Sequence, residues 1–275
     1  MLDFWVSELT GEIPRLNITG AVRPDHKSFK AGQVFLELAA DEVGELESLA
    51  ARHSGTLFMA TMAIVNTLLH FYSGQEEILT GITVAGREHP DLEDQIGYYV
   101  RTLPIRCRIG ADDPFSSFLL QSVNKIRAAL MNQDFSFELL MDQLRKTRDH
   151  IPPTLFDVLV NFQDRRGEIS GAVIDLPGIQ TIDLPIPLDS GKRDLTFYIN
   201  VFPSSTRISL VYDADLFRPE FMEGFLERFR SVLAAVLENP NNTLREIRWR
   251  SMKEKERSDR AQFIHAAMQD ISEDF

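Results

Sequence analysis

The chain has a single cysteine, Cys107, among 275 residues. One thiol closes neither an internal disulfide nor a cysteine-based zinc site. Histidine is scarce as well. His26, His53, His70, His89, His150 and His265 stand apart, with no metal-ligand spacing between them. The sequence contains no Gly-x-Gly-x-x-Gly and no phosphate-binding loop, so the commonest nucleotide-binding devices are excluded. Long apolar runs are missing too. The longest, Leu57 to Leu69, is interrupted by Thr61, Asn66 and Thr67 and falls short of the ~20 residues that span a bilayer. Positive charge is in deficit: 29 Lys and Arg against 41 Asp and Glu leave a net charge of −12. That balance argues against nucleic acid as a partner, although Arg145, Lys146 and Arg148 form a local basic patch. The opening Met1-Leu2-Asp3-Phe4-Trp5 lacks the basic start and apolar core of a secretory leader. The expectation is a cytoplasmic protein with no membrane partner and no metal.

What is present is ordinary globular material, 44% hydrophobic and 25% charged. Residues 1–32 are rich in turn formers and read as an irregular lead-in. Val34 to Leu38 alternates like a strand, and Asp41 is placed to cap a helix whose apolar stripe is Val43, Leu46, Leu49 and Ala50. Leu57 to Tyr72 is apolar nearly all round and predicts a buried helix closed by Gly74. Ile78 to Val84 has the length and residue type of a buried strand. Arg101 to Ile109 alternates, with Leu103, Ile105, Cys107 and Ile109 on one face. Cys107 therefore reads as a buried, inert thiol. The loop between these strands opens with Gly86 and Arg87 and closes at Gly97.

Asp113-Pro114 starts a helix with Phe115, Phe118, Leu119, Val123 and Ile126 in register. Leu155 to Phe162 reads as an apolar strand, and 164–192 as a long loop-rich connection. Asp194 to Val201 and Arg207 to Tyr212 predict a hairpin turning at Pro203-Ser204-Ser205. Phe217-Arg218-Pro219 opens a helix that Asn239-Pro240 stops. Asp213-Ala214-Asp215 lacks a third metal ligand and reads as a strand-end turn. Strands alternating with helices and ending in a hairpin predict an α/β fold, an α+β sandwich with a mixed sheet flanked by helices.

Four segments carry a resemblance. Phe4-Trp5-Val6-Ser7-Glu8-Leu9-Thr10-Gly11 is similar to Tyr-Trp-x-x-x-Leu-x-Gly. Gly86-Arg87, followed by Ile96-Gly97-Tyr98-Tyr99-Val100-Arg101-Thr102-Leu103 and Arg106, is similar to a Gly/Asn-Arg segment and Ile-Gly-x-Phe-Val-Asn-Thr-Leu-x-Leu-Arg. Asn132-Gln133-Asp134-Phe135-Ser136-Phe137-Glu138 resembles His-Gln-Asp-x-Pro-Phe-Glu. Arg148-Asp149 with Leu155-Phe156-Asp157-Val158 and Asn161-Phe162-Gln163 resembles Arg-Asp…Leu-Phe-Gln/Asp-Val-x-x-Asn-Phe/Tyr-Gln. In this order they resemble the core motifs of condensation domains from nonribosomal peptide synthetases, with Arg101, Asn132 and Ser136 departing from the pattern.

The resemblance implies a chloramphenicol acetyltransferase-like lobe over residues 32–251. Residues 1–31 would be a lead-in and inter-lobe linker, and 252–275 a charged tail and candidate docking peptide. It implies chemistry in which an amine attacks a carrier-bound thioester. The family's catalytic His-His-x-x-x-Asp-Gly belongs to an N-terminal lobe, and none of the six histidines here has a histidine neighbour. No catalytic residue is therefore expected in this chain. Arg87 and Asn161 would support the site, with Gly97, Tyr98, Tyr99, Arg101 and Thr102 lining a substrate tunnel. No cofactor would bind directly; the phosphopantetheine arm of a carrier protein would tether the substrate. The expected partners are a peptidyl or aminoacyl carrier protein and an N-terminal lobe or another synthetase subunit in trans. Two alternatives stand beside the condensation half: a non-catalytic carrier-docking module, and a truncated remnant of a synthetase.

Overall fold

The computed structural model describes residues 1–18, 23–92, 94–147, 154–166 and 188–252. One mixed sheet contains β1 (Ala31–Ala39), β2 (Glu77–Val84), β3 (Arg101–Arg108), β4 (Val158–Asp164), β5 (Leu195–Val201) and β6 (Ser205–Asp213). Across the sheet the order is β1-β6-β5-β4-β2-β3. Strands β2, β4 and β5 are mutually parallel in the middle. Antiparallel β3 forms one edge, and the antiparallel β6–β1 pair forms the other. The β5–β6 hairpin forms where the Pro-Ser-Ser signal places it.

The helices are α1 (Leu2–Glu8), α2 (Ala40–Arg52), α3 (Leu57–Ser73), α4 (Phe115–Met131), α5 (Phe137–Thr147) and α6 (Pro219–Glu238). The centre of the core is α3. Thr56 caps it by accepting from the Met59 N–H at 3.4 Å, and Gly74, with φ of 69°, ends it in the left-handed conformation that favours glycine. Met62, Ala63, Ile64 and Leu68 are all fully buried, because α2, α4 and α6 pack around it. Burial on every side explains why the α3 sequence is apolar nearly all round. Each buried Leu or Ile contributes roughly 1.5–3 kcal/mol.

Strand alternation then separates two sheet faces. Val34, Leu36, Leu210, Ile208, Phe197, Ile199, Val158, Val160, Ile78, Ile82, Leu103 and Ile105 are buried on the helix side. On the opposite face Phe35 is 61% exposed. Thr196, Tyr198, Leu159, Asn161 and Thr83 remain half-exposed there.

Several expectations need correction. The start of the chain is not irregular: α1 occupies Leu2–Glu8, and Trp5 and Leu9, one turn apart, drop into the core at 1% and 0% exposure. Their burial outweighs the turn formers that follow. Asp41 is not the cap of α2. That position is Ala39, whose N–H donates to Glu42 Oε2 at 2.8 Å, so the reaching-back half of a capping box orders the start. The loop after β2 extends past Gly97 to Val100, and β4 begins at Val158 rather than Leu155. The connection at 167–187, Arg148 to His150, and the tail beyond Met252 lie outside the described residues.

The segment after α1 crosses the lower ends of the strands like a strap. The Arg106 guanidinium donates to the carbonyls of Thr10 at 2.6 Å and Glu12 at 3.0 Å. Arg15 grips Asp157, just ahead of β4, with Nε at 3.1 Å and Nη2 at 2.9 Å, and the Leu16 N–H adds a third bond at 2.9 Å. Arg23 meets Asp194, just ahead of β5, at 2.5 Å. Lys27 bridges Asp194 at 3.2 Å and Asp213, the end of β6, at 2.9 Å. The three carboxylates are buried and three cations match them, the condition under which buried charge is tolerated. Burial works against the charge on Arg23 and Lys27, but the bonded carboxylates outweigh it and hold both cations above their ordinary pKa.

Candidate functional site

The upper end of the sheet holds the loop between β2 and β3. Gly86 adopts φ of 66°, and a Cβ there would lie 2.1 Å from the Tyr99 carbonyl oxygen, so glycine alone fits. Arg87 follows. Its guanidinium donates to the carbonyls of Leu92 and of Gly97, the latter at 3.3 Å, and lies 4.5 Å from the centre of the Tyr99 ring. The Tyr99 hydroxyl donates to Gln95 Oε1 at 2.7 Å. Arg87 thus clips both limbs of its own loop together, a use that the rigid guanidinium fork suits. The bonds turn Ile96 and Tyr98 outward, with Tyr98 90% exposed. Tyr98 is a surface side chain and not part of the core.

Arg101, at the start of β3, reaches sideways. Nη1 donates to the Gln133 carbonyl at 3.2 Å, and Nη2 pairs with Asp134 Oδ1 at 2.9 Å. The same turn receives the Trp5 indole N–H, which donates to the Asn132 carbonyl at 2.8 Å, and Phe135 packs 4.8 Å from the Trp5 ring. Ser136 caps α5 by accepting from the Leu139 N–H at 3.2 Å. Three sequence motifs far apart in the chain therefore meet at one turn.

Asn161 and Thr102 sit on the open face of the sheet. Asn161 lies opposite Tyr198, Tyr198 opposite Ser209, and Ser209 opposite Phe35, so one row crosses four strands. Thr102 stands opposite Thr83 beside the loop base. Arg87, Gly97, Tyr99, Arg101 and Thr102 form one cluster at the loop and its base, and Asn161 is in the neighbouring part of the sheet rather than bonded to them.

Cys107 is fully buried, and Asn66 Nδ2 lies 3.7 Å from its sulfur. Burial pushes the thiol up to about 11, with neighbouring Ser122 pulling the other way. Among the described residues there is no cluster of three or more His, Cys, Asp or Glu suited to a metal, and no single helix is long and apolar enough to cross a membrane. Asp213 and Asp215 form the expected strand-end turn, the Asp215 N–H donating to Asp213 Oδ1 at 2.9 Å.

Sequence reasoning misses the ionic clasp under the strap. Its acidic half carries a signal, since Asp157 and Asp194 each stand directly before an apolar strand. Its basic half lies more than a hundred residues away and carries none.

A family model described as "Condensation domain" matches residues 1–257. The chain is similar to tyrocidine synthase 2 of Brevibacillus parabrevis, 32% identical over 254 residues. It is similar also to gramicidin S synthase 2 of Aneurinibacillus migulanus, 33% identical over 254 residues. Each match covers 92% of this chain but only 7% and 6% of the relatives, so the chain spans less than a tenth of their length. Among solved structures, the X-domain from teicoplanin biosynthesis superposes with a TM-score of 0.78 at 24% identity, covering 88% of this chain and 55% of that one. The fold is that of condensation domains, mixed sheet and flanking helices in a chloramphenicol acetyltransferase-like arrangement. The chain belongs to the condensation-domain family of nonribosomal peptide synthetases.

Proposed function

We propose that this chain supplies the C-terminal lobe of a condensation unit that joins carrier-bound acyl and aminoacyl thioesters through an amide bond. The acceptor amine attacks the donor thioester carbonyl; the N–C bond forms, the C–S bond breaks, and the departing thiolate takes the proton that the amine releases. An N-terminal lobe with His-His-x-x-x-Asp-Gly would act at that amine. The observation that carries this reading is the open sheet face, where Phe35, Ser209, Tyr198 and Asn161 form a row that runs from the β1 edge to β4, the neighbour of the strand that leads into the Arg87 loop. A partly apolar, partly amide-bearing face with a large exposed aromatic side chain suits a second lobe and an extended substrate.

In this reading Arg87 acts through the loop that it braces, setting the floor of the tunnel. Asn161 offers an amide to the substrate, and Gly97, Tyr98, Tyr99, Arg101 and Thr102 line the passage for the phosphopantetheine arm of a peptidyl or aminoacyl carrier protein. That the solved X-domain is about twice as long as the matched segment also supports a one-lobe assignment.

A second reading is a docking module without chemistry. It draws on Arg101, which is committed to Gln133 and Asp134, and on the teicoplanin X-domain, which has been solved in complex with OxyB. The test is a mass-spectrometric condensation assay with two loaded carrier proteins, run with this chain alone and with a matching N-terminal lobe. Product that needs both lobes, and slows with Arg87→Ala, is the expected result. Carrier binding without product would select the docking module, and product from this chain alone would refute the assignment of the histidine to another lobe.

A further inference from the structure

Beneath the strap, at the starts of β4 and β5, lies a cavity of about 420 Å³. This lies within the size range of small-ligand pockets. Its charges are unevenly matched. Asp157 and Asp194 in its wall, and Asp213 behind it, are satisfied by Arg15, Arg23 and Lys27. That leaves Lys192 and Arg193, which also line the cavity; among the described residues neither has a carboxylate within ion-pair distance. Arg193 is half-buried. It donates Nη1 to the Phe156 carbonyl at 3.0 Å and lies 4.5 Å above the Phe156 ring. Burial pushes this guanidinium below its ordinary pKa, against the pull of Asp157 and Asp194, so its charge is under-compensated. Across the mouth, Pro24, Phe29 and Leu216 form an apolar shelf, and Phe29 is 53% exposed. Asp25 lines the cavity too, as exposed at the rim as Lys192, so five cations face four carboxylates and the balance of the site is positive.

We propose that this cavity binds a small phosphate monoester with an apolar body, a site separate from the condensation face and independent of that reading. The positive balance calls for an anion, and Lys192 and Arg193, without a carboxylate partner among the described residues, offer two contacts to a phosphate monoester, which is close to doubly charged at neutral pH. The Arg193 fork is suited to two phosphate oxygens, and Lys192 supplies a point charge beside it. The Phe29 shelf then receives the ester's apolar group, which inorganic phosphate lacks.

The experiment is calorimetric titration of the full chain with phenyl phosphate, inorganic phosphate and phenol at low salt. Phenyl phosphate should bind more tightly than inorganic phosphate, and phenol should give no heat. Lys192→Gln and Arg193→Gln should each weaken phenyl phosphate about tenfold, the size of one lost charge-assisted hydrogen bond. Asp25→Asn should tighten it, because the remaining unmatched carboxylate at the rim is neutralised. Should Arg193→Gln fail to fold after losing its packing on Phe156, the two surface variants still decide the matter. The proposal falls if phenyl phosphate gives no saturable heat. It falls equally if phenol or inorganic phosphate binds as well as the ester, or if Lys192→Gln and Asp25→Asn leave the affinity unchanged.

Discussion

Asp157→Ala is the sharpest probe of how the lead-in is tied to the sheet. Asp157 is 3% exposed and accepts two bonds from Arg15 and one from the Leu16 N–H, with Arg23 at 3.5 Å. Removing one partner of a buried ion pair costs about 3–5 kcal/mol when the other charge stays buried. Here the orphaned cations can rehydrate, since the side chains of Arg15 and Arg23 keep 38% and 33% of their exposure. That brings the ionic part down to about 1–2 kcal/mol. The buried Leu16 N–H left without an acceptor adds roughly 1–2 kcal/mol. The expected loss is therefore about 3 kcal/mol, a fall in Tm of roughly 6–12 °C for a chain of this size. Asp157→Asn keeps an acceptor for Leu16 and loses the charge, so it should cost about half as much.

Urea denaturation of the three proteins measures the losses, and hydrogen exchange at the Leu16 amide locates them. The strap should exchange faster in Asp157→Ala while the α3 amides lose protection only by the global amount. A loss under about 0.5 kcal/mol would show that the clasp is no better than an exposed pair. Equal losses for Asn and Ala would refute the division between the charge and the Leu16 acceptor.

Other expectations follow from the same geometry. Gly86→Ala must relieve a 2.1 Å approach to the Tyr99 carbonyl at a positive φ. It should cost about 1–2 kcal/mol and open the 85–100 loop to limited proteolysis; an unchanged digestion pattern would contradict the loop geometry. Cys107, fully buried and with its thiol pushed up to about 11, should react with a thiol reagent at pH 8 no faster than the chain unfolds. Rapid labelling of the folded protein would show that the core there is open. Arg166 bonds to Glu47 and Asp164, holding both carboxyls below their usual range, chiefly through the side-chain hydrogen bonds. A depressed carboxylate pKa stabilises the fold above the unfolded value, near 4, and loses that contribution as pH falls through the folded value. The Tm gap between the wild type and Arg166→Gln should therefore shrink between pH 6 and pH 3, and a constant gap would assign Arg166 a packing role instead.

Features set by neighbours along the chain are legible in the sequence. Gly74 at the close of α3 and the all-round apolar α3 are local facts, as are Pro219 at the start of α6 and the alternation of β3. The motif-bearing loop is legible too, because Gly86 and Arg87 act within fifteen residues of each other's partners. The β-sheet order is not, since pairing β2 with β4 and β6 with β1 is decided by packing across the whole chain. Helix α1 escapes a reading by periodicity because its signal is about two turns long, and Trp5 is informative only once Asn132 and Phe135 are beside it. The clasp escapes for the same reason, as each of its ion pairs joins residues more than a hundred positions apart.

The positions that depart from the family pattern bear on whether the site is maintained or drifting. Arg101, Asn132 and Ser136 each make a bond at the α4–α5 turn or at the helix ends that flank it. Arg101 bonds to Gln133 and Asp134, the Asn132 amide donates to the Ala128 carbonyl at 2.9 Å, and Ser136 caps α5. Drift would leave such substitutions independent; a turn rebuilt around them would make them interdependent. A double-mutant cycle on Arg101 and Asp134 separates the two. Asp134 is 69% exposed at its side chain and Arg101 34%, so the pair itself is worth at most about 1 kcal/mol. Arg101→Asn, which installs the family residue, also loses the Gln133 carbonyl that a shorter amide cannot reach. It should therefore cost more than Asp134→Asn, and the two losses should sum to more than the double variant loses. Strict additivity, with Arg101→Asn no worse than neutral, would mean that Arg101 is a bystander on the turn, and position 101 could then revert to the family pattern without penalty.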